Sequence, residues 1–147
     1  MIADRMRNAL IVFLGGAIGT FLRAGIDVAL TGGRLSATTL LACNVIGSLA
    51  LGILIRALGP AVEDSEARCQ FRLFAGTGLI GGFTSYSSFA VLAGTVLAGG
   101  APVPGVVYAL LTVLAGVAAA LIGTMLVPDG AAHDRRGRRS GPEGGAP

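Results

Sequence analysis

The sequence has no tryptophan, no lysine and only two cysteines, and only 13% of its 147 residues are charged. Soluble domains carry about 25% charged residues, so this chain has too little polar surface to cover a globule in water. Cys43 and Cys69 match neither a disulfide framework nor a metal-ligand spacing. We interpret both as packing residues, because buried thiols behave as small hydrophobic groups. These scarcities exclude a soluble enzyme.

What the chain has instead is apolar length, with 53% hydrophobic residues and a mean hydropathy of +0.77. A membrane-spanning helix needs about 20 mostly apolar residues. Four such stretches, separated by short connections, cover residues 9–30, 36–58, 71–98 and 103–127. We therefore predict an all-α membrane protein with four transmembrane helices. Residues 128–147 are rich in proline, glycine and arginine and are predicted to form a disordered polar tail, with His133 solvated.

The positive charge lies mostly on one side of the predicted membrane domain. All 11 basic residues are arginine, and most stand at the ends of apolar stretches or in the tail, as in membrane proteins rather than nucleic-acid-binding proteins. Only Arg34 falls clearly on the far side. The near side, shared by the termini and the middle loop, holds Arg5, Arg7, Arg56, Arg68, Arg72, Arg135, Arg136, Arg138 and Arg139. The positive-inside rule places both termini in the cytoplasm, with the N-terminal segment retained as the first span.

Polar side chains inside the first two apolar stretches need a partner. Arg23 and Asp27 are one helical turn apart, so either they form a local ion pair at the membrane edge or Arg23 draws anions into a vestibule. Asn44 lies near the middle of the second stretch, where an unpartnered amide costs several kcal/mol. It either bonds a neighbouring helix or faces water. Ser48 and the glycines beside it are interpreted as small packing positions.

The third stretch is interrupted at its centre by residues 81–85, which read Gly-Gly-Phe-Thr-Ser. Irregular backbone at mid-membrane depth survives only where it lines a cavity or binds an ion. A break frees carbonyls that can coordinate a hard cation, and the following half-helix presents amides to an anion. Tyr86 and Phe89 are three residues apart and share one helix face.

Two further polar residues, Tyr108 and Thr112, share one face of the fourth stretch. On their own they would be read as helix-packing residues. Three of the four stretches thus offer a hydrogen-bond donor at mid-depth, and no stretch offers a carboxylate there. A polar path without titratable groups favours passive conduction over proton-coupled pumping.

Three segments resemble the CrcB/Fluc family of small bacterial fluoride channels. They cover residues 15–23 (GGAIGTFLR), 39–48 (TLLACNVIGS) and 81–89 (GGFTSYSSF), and the fourth stretch adds Tyr108 and Thr112. The resemblance extends from about Leu10 to Val127 in the right order. The motif in the third stretch is specific enough to identify the family.

The resemblance implies a passive channel that exports cytoplasmic fluoride across the bacterial plasma membrane. Its fold would be an antiparallel dimer of four-helix subunits with the third helix broken at mid-membrane, enclosing two narrow pores. A central structural Na⁺ would be held by the backbone carbonyls of Gly81 and Thr84. Arg23 would stand at the aqueous vestibule. The implied pore residues are Asn44, Tyr86, Phe89, Ser87, Ser88, Tyr108 and Thr112.

The chain departs from the family pattern at two positions and in its charge distribution. Tyr86 stands where the pattern has phenylalanine, so its hydroxyl either adds a donor or blocks the pore, and Thr112 stands where serine is usual. The one-sided arginines predict a fixed orientation with the termini inside, which favours an oppositely inserted paralogue as the partner over a second copy of the chain. One alternative is therefore a non-conducting or weakly conducting structural subunit. A small proton-coupled multidrug antiporter is the other, but that class needs a membrane-embedded glutamate, and the nearest acid is Asp27.

Overall fold

The computed structural model describes residues 1–34, 36–59, 65–100 and 102–128, and the elements within them are helical. The helices are α1 (Ile2–Thr31), α2 (Ala37–Leu58), α3 (Glu66–Arg72), a π-helix (Leu73–Ile80), α4 (Gly81–Phe83), α5 (Tyr86–Ala98) and α6 (Pro102–Met125).

Four helical segments are long and apolar enough to cross a membrane. They are α1, α2, the joined segment Glu66–Ala98 and α6, with mean hydropathies of 1.8, 2.0, 1.3 and 2.4. We call them spans 1 to 4. This confirms the prediction of a multi-pass all-α membrane protein whose third span is broken.

Two helices begin before the apolar stretches that predict them, because charged residues continue these helices at their N-terminal ends. α1 begins at Ile2, ahead of the predicted start at residue 9, and the ammonium group of Met1 pairs with Asp4 Oδ2 at 2.9 Å. α3 begins at Glu66, where Ser65 Oγ accepts a hydrogen bond from the Arg68 amide. A helix can extend past the hydrocarbon because water tolerates its charged residues. The predicted tail from residue 129 onward, including His133, lies outside the described residues.

Span 1 packs against the first half of span 3, formed by the π-helix and α4, whereas span 4 packs against span 2 and against α5. Few side chains are buried between them, and most of the large apolar side chains point outward, such as Phe13 and Leu110, which are 69% and 58% exposed. An apolar outer surface suits contact with lipid. The buried hydrophobic residues are Leu40, Cys43, Ala75, Ala93 and Ala119.

Glycines hold the paired helices at backbone contact. A methyl group on Gly19 would overlap the Leu79 carbonyl oxygen, and one on Gly52 would overlap the Ala120 carbonyl oxygen. Small residues at such positions are the usual means by which membrane helices approach closely. The close approach brings the walls of the site described below together.

Polar contacts gather three helix ends at one side of the bundle. Arg7 Nη2 pairs with Glu66 Oε1 at 2.7 Å, and Arg72 Nη2 donates to the Gly59 carbonyl at 2.9 Å. The start of span 1, the end of span 2 and the start of span 3 therefore lie together, as the charge pattern predicts.

The two cysteines have different surroundings. Cys43 is 2% exposed, which confirms its interpretation as a packing residue, whereas Cys69 is exposed and that interpretation is wrong for it. The physical reason is that Cys69 lies in α3, the short charged start of span 3, which has no buried residues.

We expect Gly19→Ala to destabilise the protein by about 1–3 kcal/mol, because the added methyl group overlaps the backbone of the π-helix. Thermal unfolding in detergent measures the change. Gly25→Ala is the matched control, because it lies in the same helix with no atom within 4 Å of the added methyl group. Equal stability of the two variants would contradict the close packing of spans 1 and 3.

Candidate functional site at the broken third span

The break in span 3 occupies two residues. Thr84 (φ −78°, ψ 150°) and Ser85 (φ −136°, ψ 100°) are extended, whereas Gly81–Phe83 remain helical. The sequence placed the interruption over 81–85, so its position is confirmed but its length is shorter. Gly82 serves another purpose, since a methyl group on it would overlap the backbone of Gly16 in α1, whereas one on Gly81 would meet no atom within 4 Å.

Asn44 replaces the first helical hydrogen bond that the break removes. Its Oδ1 accepts a hydrogen bond from the Ser85 amide at 3.0 Å. In a continuous helix that amide would donate to the carbonyl of Gly81, which is therefore released. Because the backbone amide is the donor, the acceptor on Asn44 must be its oxygen, and the amide nitrogen Nδ2 remains on the other side of the side chain.

Ser85 replaces another helical hydrogen bond, because its side chain caps the N-terminus of α5. Its Oγ accepts from the Ser88 amide at 3.1 Å and donates to Ser88 Oγ at 2.8 Å. The Ser88 amide would donate to the Thr84 carbonyl in a continuous helix, so this carbonyl is released as well.

The carbonyls of Gly82 and Phe83 lose their helical partners as well, since no backbone hydrogen bond joins Tyr86 or Ser87 to them in the described part of the chain. Of these four carbonyls, those of Gly81 and Thr84 are the two that the resemblance assigns to Na⁺. Unwound backbone carbonyls are the groups with which membrane proteins hold Na⁺. The residues present therefore fit the ion, with two oxygens from this chain. The nearby Gly82 carbonyl is occupied differently, since it accepts a hydrogen bond from Thr20 Oγ1 at 3.3 Å.

A cavity of about 460 Å³ opens beside the break, between α2, span 3 and α6. The structure brings together there six of the residues predicted from the sequence, namely Asn44, Gly81, Thr84, Tyr86, Phe89 and Thr112. Four others, Ser87, Ser88, Tyr108 and Arg23, are not part of its lining. Most of the remaining wall is apolar, and it carries no carboxylate.

Three aromatic rings form a row at one end of the cavity. The ring centroids of Tyr86 and Phe89 are 5.8 Å apart, and those of Phe89 and Tyr108 are 6.0 Å apart. The shared face predicted for Tyr86 and Phe89 is thus confirmed. Tyr108 does not line the cavity but contacts Phe89, which does. Tyr86 protrudes, with 82% of its surface exposed. Ring edges carry partial positive charge, which suits an anion.

Some of the hydroxyl groups that line the cavity donate hydrogen bonds to backbone carbonyls, and at least one does not. Thr112 Oγ1 donates to the Tyr108 carbonyl at 2.8 Å, and Thr84 Oγ1 donates to the Ile80 carbonyl at 3.0 Å. Ser48 also lines the cavity, yet its Oγ makes no hydrogen bond within the described part of the chain. A serine beside glycines is typical of a packing position, so the sequence did not indicate Ser48 as a polar wall residue, although its place four residues after Asn44 puts both on one helix face.

Arg23 and Asp27 form the local ion pair that their spacing allowed. Arg23 Nη1 lies 2.9 Å from Asp27 Oδ2, and the two side chains are 19% and 21% exposed. Arg23 Nε is buried and has no hydrogen-bond partner among residues 1–34, 36–59, 65–100 and 102–128. The ion pair accounts for a charge near the membrane edge, and the vestibule role of Arg23 stays a prediction.

We expect Ser85→Ala to lower the free energy of unfolding by about 1 kcal/mol, the usual cost of losing a helix N-cap. The loss would appear as a lower melting temperature in lipid nanodiscs. Ser87→Ala is the control, because Ser87 is exposed and makes only a 3.4 Å contact with Ser85 Oγ. A Ser85→Ala variant as stable as Ser87→Ala would show that the cap does not hold the break.

The comparisons with known proteins agree with this architecture. A family model described as CrcB-like protein, Camphor Resistance (CrcB), matches residues 10–124. A protein of Leifsonia xyli subsp. xyli named Fluoride-specific ion channel FluC 2 is 40% identical over 120 residues, which is 82% of this chain and 83% of that protein. A Methylobacterium protein named Fluoride-specific ion channel FluC is 39% identical over 124 residues, 83% of this chain and 97% of its own length. The chain belongs to the CrcB-like family.

Proposed function

We propose that the chain is a subunit of a fluoride-selective passive channel that lets cytoplasmic fluoride leave the cell down its gradient. The observation that carries the proposal is the break at Thr84–Ser85 beside a membrane-depth cavity with free donors and no carboxylate in its lining. The names of the family relatives support the identity of the ion. The proposed protein is a channel and not an enzyme.

The chemistry of the cavity suits a small, strongly hydrated anion. Asn44 Nδ2 can donate to it, because Oδ1 is already occupied by the Ser85 amide. The N-terminus of α5 begins at the cavity, so its amides and positive dipole end favour negative charge there. Phe89 and Tyr86 add ring edges. Donors at fixed spacing in a narrow path would replace the water around fluoride and exclude larger halides.

A dimer would complete the site. One chain would supply the Gly81 and Thr84 carbonyls, and a twofold-related copy would bring the same groups to the same axis, which would double the oxygens available to a central structural Na⁺. Gly81 is exposed and Tyr86 is 82% exposed, so both are available to a partner. The proposed partner is an antiparallel second copy or an oppositely inserted paralogue, and the one-sided arginines favour the paralogue.

The proposed location is the bacterial plasma membrane with both termini in the cytoplasm, on the basis of the arginine distribution. Residues outside the cavity lining keep the roles that the resemblance implies. The polar path that includes Thr112 would be extended outside the cavity by Ser87, Ser88 and Tyr108. Arg23 would stand at the aqueous vestibule.

Fluoride efflux from liposomes tests the function directly. We expect this chain, alone or co-expressed with any CrcB-like paralogue that its genome encodes, to release fluoride much faster than protein-free liposomes, with chloride retained. A fluoride electrode and a chloride electrode follow the two ions. Well-folded protein that releases no fluoride in either preparation would contradict the proposal, and efflux from the chain alone would show that a paralogue is not required.

Tyr86→Phe in the same assay separates a conducting pore from a structural subunit. The exposed phenol ring of Tyr86 favours the second candidate, a non-conducting or weakly conducting subunit, if its hydroxyl occupies the path. A large gain in efflux on removing the hydroxyl would support that candidate. Unchanged or lower efflux would support a pore that tolerates the hydroxyl or uses it as a donor.

Replacing Na⁺ tests the structural cation. Because backbone carbonyls cannot be removed by substituting a side chain, the cation itself is exchanged for N-methylglucamine throughout purification and reconstitution. We expect the dimer fraction in size-exclusion chromatography and the fluoride efflux both to fall, and to recover when Na⁺ is returned. Full efflux and an unchanged dimer without Na⁺ would contradict the assignment to Gly81 and Thr84.

A further inference from the structure

We propose that Ser48 is an anion-binding donor of the pathway, and that it supplies from span 2 the hydroxyl that the polar face of span 4 lacks. This inference rests on the proposed function, since it concerns how the same cavity holds its ion. Ser48 is not among the pore residues that the family resemblance implies, and its hydroxyl approaches the cavity from α2 and not from α6.

The first observation is that the Ser48 hydroxyl makes no hydrogen bond within the described residues, although a serine within a helix can donate to a backbone carbonyl one turn earlier. Ser and Thr hydroxyls in helices commonly donate to a carbonyl one turn earlier. Thr84, Thr95, Thr112 and Thr124 all donate to a carbonyl three or four residues before them. Ser48 makes no such bond in the described part of the chain, and its side chain lines the cavity. Its proton is therefore available to a ligand.

The second observation is the place that Ser48 Oγ occupies. Tyr108, Thr112 and Gly116 are spaced four residues apart and share one face of α6. Gly116 lines the cavity but offers no side chain. The nearest atom to the position that a Cβ would take on Gly116 is Ser48 Oγ, at 3.3 Å. The hydroxyl of Ser48 thus fills the next place along the polar face of α6, reaching it from the opposite wall.

The third observation is the neighbourhood of Ser48 within its own helix. Asn44 lies one turn before it, and side chains at that spacing stand about 5–6 Å apart at their Cβ atoms. Asn44 Nδ2 and Ser48 Oγ are accordingly two unengaged donors on one wall of the cavity. An anion that gives up its water needs several donors at short range. Thr112 cannot be one of them in this arrangement, because its proton is directed to the Tyr108 carbonyl.

The two donors on α2 therefore form a short relay for the anion. Asn44 holds it near the break, and Ser48 holds it one turn further along α2, beside Gly116. Glycine at position 116 leaves the room that the ion and the Ser48 hydroxyl share. The class of ligand is a small dehydrated anion, fluoride in the proposed function.

Moving the hydroxyl from one wall to the other tests the proposal. We expect Ser48→Ala to slow fluoride efflux roughly tenfold or more, the size expected for one hydrogen bond to a charged group. Ser48→Ala combined with Gly116→Ser returns a hydroxyl to the same place from α6, so we expect most of the efflux to return. Thr124→Val is the matched control, because that hydroxyl is engaged with the Leu121 carbonyl outside the cavity, and we expect it to conduct as the unaltered chain does.

A purely packing role for Ser48 predicts a different pattern. Ser48→Cys keeps the shape but offers a weak donor, so slowed efflux in this variant supports donation and covers the case in which Ser48→Ala fails to fold. Efflux unchanged in Ser48→Ala, or slowed in it without return in the double variant, overturns the inference and leaves the channel function intact. An unaltered chain that releases no fluoride with or without its paralogue overturns the proposed function and this inference together.

Discussion

A polypeptide in hydrocarbon has no water to satisfy its backbone, and the hydrogen bond from the Ser85 amide to Asn44 Oδ1 is what makes a broken helix tolerable here. Asn44 supplies from span 2 the acceptor that replaces the Gly81 carbonyl for this amide. With the acceptor present, the carbonyls at the break are available to a cation and α5 begins at the cavity. The positions of Tyr86 and Phe89 follow from where α5 begins.

That hydrogen bond needs α2 to lie close to the break, and Gly47 permits this, because a methyl group on Gly47 would overlap Thr84 Cγ2. Glycines also bring the neighbouring helices close together. Gly19 and Gly82 bring α1 against the π-helix and α4, and Gly52 brings α2 against α6. The chain thus builds its site from backbone contact rather than from a large side-chain core. The side chains that are not packed between helices point either to the outer apolar surface or into the cavity.

The sequence was sufficient for much of this architecture. Apolar length predicted the four spans, the glycine and hydroxyl cluster located the break, and the spacing of Arg23 and Asp27 allowed the ion pair that the structure shows. These features depend on local composition or on residues within one helical turn. The local sequence contains the information that determines them.

Other features depend on contacts between distant residues, and composition does not encode those. The π-helix could not be predicted from the sequence, because leucine, alanine and glycine fit several helix types equally well. Gly81 was expected to leave the helix, but it does not, since the break is held by Asn44 from another span. Cys69 was misread because apolar neighbours follow it in sequence while the helix that carries it has no buried residues. Ser48 was overlooked because a serine beside glycines resembles a packing position.

The separation of Asn44 and Ser85, 41 residues along the chain, has a consequence for how the protein is made. Until the third span packs against the second, the Ser85 amide has no acceptor from Asn44. The cap that Ser85 places on α5 lies within the third span itself and does not depend on that packing. The break therefore acquires its full set of hydrogen bonds only when spans 2 and 3 pack together.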